Sequence, residues 1–441
     1  MSLITPASVQ KLQTVLHAKA KESPNQRFHA LYDKVYRKDM LAYAYLCCKA
    51  NGGAAGVDQQ RFEDIAAYGE ERWLDELAQE LKNRSYRPLP VRRVYIPKAD
   101  GKSQRPLGIP AIRDRVAQTA AVLVLEPIFE ADLQPEQYAY RPNRSALDAV
   151  RLVHKLLNTG HREIVDADLS GYFDTIPHAE LMKSVARRVV DGAMLHLLKL
   201  WLEAPVEDTD ERGKKRRSTP NKDTGRGTPQ GSPISPLLSN LYMRRFVLGW
   251  KRLGYEARFA ARIVNYADDL VICCRGRADE ALAAMRSMMS KLKLTVNESK
   301  TRVCTVPEES FDFLGYTLGR CYSPTGRAYL GTIPAKKRVR RICAEVSEVT
   351  AHRRTQLETK LIVGTLNRKL IGWSNYFCLG PVSKAYRSID RHTAHRLRQW
   401  LCAKHKVAGQ GTKRYSNEVL YQEHGLVRLG PRTANLPWAK A

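Results

Sequence analysis

Three aspartates stand out for the chemistry they would do together: Asp168 in the run DADLSGYFD, and Asp268 and Asp269 in YADD. Apolar residues flank both places, with Ile164 and Val165 ahead of Asp168, and Ile263, Val264, Leu270, Val271 and Ile272 around the pair. Such flanks set the acids inside a core sheet, where carboxylates repel one another and stay ionised only beside cations. Hard divalent cations prefer oxygen ligands and keep positions open for phosphate oxygens, so a pair of Mg²⁺ ions is the expected occupant. In two-metal chemistry one ion activates a hydroxyl and the other steadies the leaving oxygen. The implied reaction is phosphoryl transfer, which asks for positioning and charge neutralisation and little else. Without the apolar flanks, Asp268 and Asp269 would read as solvated turn residues.

The elements that must hold these acids follow from periodicity. Residues 163–169 alternate like a strand, with Ile164, Asp166 and Asp168 on one face and Val165, Ala167 and Leu169 on the other. The YADD segment reads as a hairpin between two apolar strands. Val91 to Ile96 predicts another strand, residues 97–102 its turn, and Pro106 to Pro110 the returning strand. Residues 1 to about 85 read mainly as helices, interrupted by the glycine-rich turn at 51–56. Helices are expected near 114–125, after an N-cap at Ser145, and continuously from Ala179 to Leu202. Residues 205–226 predict a polar loop or flexible hairpin carrying Lys214, Lys215, Arg216 and Arg217. Beyond about Pro334 the pattern is almost wholly helical, so a boundary falls near 325–335. Strands alternating with helices indicate an α+β or α/β core.

Charge points to the partner. The 441 residues carry a net charge of +28, and 43% of them are hydrophobic, so a large core rather than disorder accompanies the excess. A polyanion is the natural partner, because every neutralised phosphate releases a counterion. Residues 331–441 hold 22 Lys+Arg against 6 Asp+Glu, which makes the C-terminal region a basic, nucleic-acid-facing module. No stretch approaches the roughly 18 apolar residues of a membrane span. Nine cysteines without a CxxC pair predict reduced, mostly buried thiols and a cytoplasmic protein, associated with the nucleoid or a ribonucleoprotein.

The ordered blocks DLSGYFD, GTPQGSPISPLLSN, YADD, LKLTVNESKT and FLGY resemble the palm motifs of reverse transcriptases. With NGGAAGVD, IPKADGKSQRPLGIP and YAYRPNRSALDAV before them, and LNRKLIGWSNYF and LYQEHGLVRL after, the set resembles the group II intron reverse transcriptase/maturase family. That resemblance implies an α+β right-hand polymerase with an antiparallel sheet, followed by an all-helical thumb called domain X. The divisions expected are an N-terminal extension with the start of the fingers (1–90), fingers and palm (91–330), and thumb (331–441).

The resemblance also assigns roles. Asp168, Asp268 and Asp269 match the catalytic, metal-holding aspartates, with Asp269 the weaker ligand. Phe173 matches the aromatic gate against a 2′-hydroxyl. Lys98 and Arg105 match fingers residues that grip the triphosphate, Gln230 lines the nucleotide pocket, and Lys300 lies near the leaving phosphates. Lys336, Lys337, Arg338, Arg340, Arg341, Arg368 and Lys369 are the expected RNA contacts, while the aromatics among them are expected in the core. The family pattern has Gly-Gly where this chain has Gly231-Ser232. The implied activity is RNA-directed DNA synthesis from dNTPs, with intron RNA, template RNA and a DNA primer or target as partners and no endonuclease expected after the thumb. The alternatives are a domesticated or defence-associated reverse transcriptase without an intron, and an RNA-binding splicing cofactor with vestigial polymerase activity.

Overall fold

Apolar alternation in short segments builds the central sheet. The computed structural model describes residues 3–97, 104–210 and 212–433. Its strands, numbered in chain order, are β1 (Val91–Pro97), β2 (Gln104–Ile109), β3 (Glu163–Asp168), β4 (Val206–Thr209), β5 (Lys215–Ser218), β6 (Arg262–Tyr266), β7 (Asp269–Cys274), β8 (Arg302–Thr305), β9 (Phe311–Phe313), β10 (Tyr316–Tyr322) and β11 (Ala328–Pro334). The central sheet runs β6-β7-β3-β8, with every pairing antiparallel. Both its faces are covered. Ile164, Val264, Val271 and Cys273 pack under the helix Ala146–Asn158, whereas Val165, Ala167, Leu270 and Ile272 join the larger core on the other side. That larger core runs from Val9 to Leu294, so the N-terminal helices are packed into the palm and have no core of their own.

A second sheet, β2-β1-β4-β5, forms the fingers, and a third, β11-β10-β9, leads into the helices Lys336–Val349, Thr359–Tyr376 and Ser383–Lys404. Those helices enclose a separate core from Ile342 to Leu429. The fold is thus α+β, with pairings antiparallel except where β4 joins β1, and a helical C-terminal region. The expected cut at residue 331 falls within β11, which stays paired to β10 as far as Pro334. Among the described residues no helix is long and apolar enough to cross a membrane. Among the described residues no disulfide is formed, and Cys48, Cys273, Cys274, Cys304, Cys378 and Cys402 are buried.

One expectation is corrected. The continuous helix from Ala179 to Leu202 is in fact two, His178–Ala186 and Gly192–Leu202. Asp191 makes the break: one carboxylate oxygen caps the second helix at Ala193 and Met194, and the other accepts from the amides of Leu31 and Tyr32. The polar stretch 205–226 keeps the expected hairpin as the β4–β5 ribbon and adds the short helix Pro220–Thr224, while β4 pairs in parallel with β1 through Val91 and Val206.

A buried polar tie joins the fingers to this frame. The Tyr86 hydroxyl donates to Asp114 Oδ1 at 2.6 Å and accepts from Trp201 Nε1 at 3.0 Å, and Asp114 Oδ2 takes the Leu89 amide at 3.0 Å. Tyr86, Asp114 and Trp201 are all buried. Replacing Asp114 by Ala strands the Tyr86 hydroxyl and the Leu89 amide, and each stranded buried group costs about 1–3 kcal/mol. We therefore predict a lower thermal midpoint for Asp114→Ala, with Asp114→Asn retaining more of it; equal midpoints for wild type and Asp114→Ala would refute the tie.

Candidate active site

The β6–β7 hairpin turns in two residues, Ala267 and Asp268, because Tyr266 pairs directly with Asp269. Such a turn needs a left-handed residue, and Ala267 takes it, with φ of 56°. Asn265, fully buried, holds this strained turn by donating from Nδ2 to the Ala267 carbonyl at 2.9 Å. Its own backbone is anchored by the Glu136 carbonyl at 2.9 Å and the Tyr138 amide at 3.0 Å. Nothing in the sequence pattern singles out Asn265, since the contact that matters is a fold-level one.

Register then sets the acids together. Asp168, at the end of β3, is the direct cross-strand partner of Asp269 at the start of β7. Paired residues of a sheet share a face, and Asp166 lies two residues back on that same face. Asp269 keeps an open edge to solvent, yet the protein atoms around its other sides, and then the charges of Asp268, Asp168 and Asp166, push its pKa up to about 7. Burial chiefly raises Asp268 as well, reinforced by Asp168 and opposed by Arg105 and Lys300. Burial likewise takes Asp166 to about 6, partly countered by Arg302.

Cations and amides already answer part of this charge. Lys300 Nζ lies 3.1 Å from Asp168 Oδ2, and Asn297 Nδ2 donates to the same oxygen at 3.0 Å. The Asn297 amide also donates to the Asp168 carbonyl at 2.8 Å. Lys300 therefore sits against Asp168, while Asn297 is a site residue the sequence reading missed. Among the described residues no three His, Cys, Asp or Glu side chains are gathered into a closed metal-holding cluster. What is present is an open set of hard oxygen donors with more negative charge than Lys300 and Arg105 offset, and in kind this fits a divalent cation.

Around the acids, Phe173 is half-buried, packed edge-on against Tyr140 at 6.4 Å and Tyr172 at 5.7 Å between ring centroids. Tyr140, half exposed and with a positive φ of 54°, is a second residue that the sequence reading passed over. Gln230 donates from Nε2 to Asp174 Oδ2 at 3.1 Å, and its carbonyl accepts the Gly108 amide of β2 at 2.6 Å, which fastens fingers to palm. At that junction Gly231 has φ of 110°, and a Cβ there would lie 2.5 Å from the Gly108 carbonyl oxygen. Ser232, in the place of the second glycine, has no left-handed φ and lies buried, so the departure from Gly-Gly costs no backbone strain. Arg105 is exposed on β2, within electrostatic reach of Asp268. Lys98 lies outside the described residues.

The expected RNA contacts divide. Arg338, Arg341, Arg368 and Lys369 line one groove of about 470 Å³ with Trp373, Tyr376 and Phe377. Within it, Arg341 and Lys369 share Glu345, at 3.2 and 2.8 Å. Lys337 is paired instead with Asp312 at 2.9 Å, outside that lining. Lys336 and Arg340 are exposed on the same helix. The aromatics are largely core: Phe377 and Tyr386 are buried, and Trp373 lies 4.6 Å from Phe377 between centroids.

Comparison with known proteins fits this arrangement. Residues 96–318 match the family model of the reverse transcriptase (RNA-dependent DNA polymerase), and residues 339–417 match the group II intron, maturase-specific domain. The protein YkfC of Escherichia coli is 34% identical over 370 residues, which cover 75% of this chain and 93% of that protein. The group II intron-encoded protein LtrA of Lactococcus lactis is 33% identical over 293 residues, covering 65% of this chain and 46% of that protein. An uncharacterized 91 kDa protein in the cob intron of Schizosaccharomyces pombe is 24% identical over 77% of this chain and 47% of its own length. The chain thus spans about half the length of these last two relatives. With acids paired across a central sheet, a fingers junction on Gln230 and a basic helical unit behind them, the chain belongs to the reverse transcriptase family and carries a group II intron maturase-specific domain.

Proposed function

We propose that this RNA-directed DNA polymerase copies RNA into cDNA by two-metal phosphoryl transfer at Asp168, Asp268 and Asp269, and binds its parent group II intron RNA to promote splicing and retromobility. The observation that carries the reading is the cross-strand placement of Asp168 against Asp269, with Asp268 at the turn between β6 and β7. Their oxygens would hold two Mg²⁺ ions, which when bound supply charge neutralisation for the attacking 3′-hydroxyl and the leaving pyrophosphate.

The remaining work falls to the chain itself. Lys300, exposed and already on Asp168, offers a mobile ammonium to the negative charge of the incoming triphosphate. Arg105 on β2 grips the triphosphate from the fingers, a task in which Lys98 is its proposed companion. Gln230, tied to Asp174 and to Gly108, forms the floor of the nucleotide pocket. Phe173, braced by Tyr140 and Tyr172, fills the space that a ribose 2′-hydroxyl would need, which selects dNTPs. The groove around Arg338 and Arg368 holds phosphates of the bound RNA, since Arg338 Nε is buried without a partner. We assign residues 1–90 to the N-terminal extension and early fingers, 91–330 to fingers and palm, and 331–441 to the thumb.

Asp268→Ala is expected to abolish cDNA synthesis while leaving RNA affinity within a few-fold, because RNA binding rests on distant cations. Primer extension at near-native rate would remove the acids from the proposed role. Phe173→Val should narrow the ratio of kcat/KM for a dNTP to that for its matching ribonucleotide; an unchanged ratio would exclude Phe173 as the gate.

For the thumb, replacing Arg338 and Arg340 by Gln should flatten the dependence of log K on log salt by about 0.7–0.9 per lost phosphate contact. Adding Arg341→Gln should do less than its share, since Glu345 already engages that guanidinium. A slope unchanged in both variants would exclude this helix as a contact surface.

A further inference from the structure

Away from the acids, the helices His178–Ala186 and Ser235–Arg252 pack against one another and enclose a small pocket of about 150 Å³. Its polar walls are Lys183, Ser184, Arg187, Arg244, Arg245 and Asp132. Anions are in short supply there. Glu180 is shared by Arg245 at 3.2 Å, Lys183 at 3.5 Å and Lys293 at 3.9 Å. Asp132 is taken by a two-pronged contact from Arg188, at 2.9 Å from Nε and 2.8 Å from Nη2. Among the described residues Arg244 has no ion pair and donates to a main-chain oxygen, that of Asp132, at 2.6 Å. Arg187 and Arg252 are exposed, and among the described residues neither has an ion-pair partner. Burial, and then the nearby charges of Arg187, Arg252 and Arg188 against that of Asp132, lower the pKa of Arg244.

Guanidinium groups crowd together at this density only at an energetic loss, unless an external anion enters among them. The pocket's size says which part of an anion enters. A cavity of about 150 Å³ is below the roughly 300 Å³ at which small-molecule pockets begin, so it takes a phosphate and not a nucleoside. The one ring in its wall, Phe129, is only 1% exposed and offers no face for a base. Recognition here is of backbone and shape, which is how structured RNA is bound. The site is also apart from the cleft: Arg244 follows Ser235 by nine residues on one helix, about 14 Å along its axis, and Ser235 is the residue hydrogen-bonded to the PQGSP loop through Pro229.

We propose that Arg187 and Arg244 in the pocket wall, with Arg252 about 12 Å further along the helix of Arg244 and outside that wall, form a second RNA site on the palm, which takes backbone phosphates of the structured RNA bound by this protein and not the template–primer in the cleft. The identity of that RNA as intron RNA rests on the function proposed above; the phosphate chemistry does not. Arg187→Gln/Arg252→Gln tests it, because neither side chain has an ion pair to lose and the fold should be kept, as an unchanged thermal midpoint checks. Intron RNA binding should weaken, with its salt slope reduced by about 1.4–1.8 for two lost contacts, while extension of a short template–primer stays at the wild-type rate.

A wild-type slope in this variant, with the Arg338/Arg340 variant lowering it, overturns the second site and leaves the proposed function standing. Wild-type slopes in both variants overturn the site and the intron-binding reading together. Slowed extension on the short template–primer also overturns the proposal, since it would place these arginines in the cleft.

Discussion

The arrangement of this molecule depends on two like charges held face to face. Asp168 and Asp269 are direct partners across β3 and β7, and like charges directly opposite destabilise a sheet. The pairing cannot relax by slipping. Shifting β3 by one residue would turn Ile164 away from the face it shares with Val271 and bring Asp166 and Asp168 into the larger core beside Leu270 and Ile272. Burial of Val165, Ala167, Val271 and Ile272 therefore forces the acids together, and the surroundings are left to manage the charge. Lys300 and Asn297 attend to Asp168, Arg105 faces Asp268 from the fingers, and Arg302 faces Asp166. The unmet remainder of that negative charge is what the proposed metal ions would offset.

A second constraint is steric. Fingers and palm meet main chain to main chain, where the Gly108 amide reaches the Gln230 carbonyl and no side chain fits between Gly231 and Gly108. A contact of this kind leaves Gln230 little freedom, since its side chain is also drawn to Asp174 on the short helix that carries Phe173. The proposed nucleotide pocket would in this way be framed from three separate stretches of chain that have no rigid element in common. Only the first glycine of the pair is needed for it. The tolerance of Ser232 shows that a resemblance in sequence can overstate how much of a motif the backbone requires.

How legible all this was depended on the range of the interaction. The strands β3, β6 and β7, and the fingers hairpin β1–β2, could be read directly because a buried strand announces itself by local alternation. Asn297 could not, since its partner Asp168 stands 129 residues away, and Asn265 holds a turn whose strain is visible only in the backbone of Ala267. The missed break before Gly192 has the same origin: Asp191 reads as one more polar position on a helix until Leu31 and Tyr32 arrive to use its second oxygen. The extent of the core was equally hidden. The division expected at residue 90 does not mark a separate core, since Val9, Leu41 and Leu77 share one with Tyr172 and Met285.

Net charge, finally, is a poor locator of binding surfaces, and the pairing of each cation is a better one. The C-terminal region has the larger excess of Lys and Arg, but Lys337 is held by Asp312, and Arg341 and Lys369 share Glu345. In the thumb groove Arg338 and Arg368 have no ion pair among the described residues, and in the palm pocket Arg187 and Arg244 have none, while Lys183 and Arg245 share Glu180. Pairing does not remove a cation from use, however. An exposed pair such as Arg341 with Glu345, four residues apart on one helix, contributes only about 0.3–0.5 kcal/mol, so a phosphate that makes a charge-assisted bond can displace the carboxylate at little loss. Paired surface cations thus hold their side chains ready and in defined places, whereas unpaired ones such as those of the palm pocket carry a repulsion that binding relieves. Both surfaces can thus bind a polyanion in two ways at once: a paired cation exchanges its carboxylate, and an unpaired one gains an ion pair.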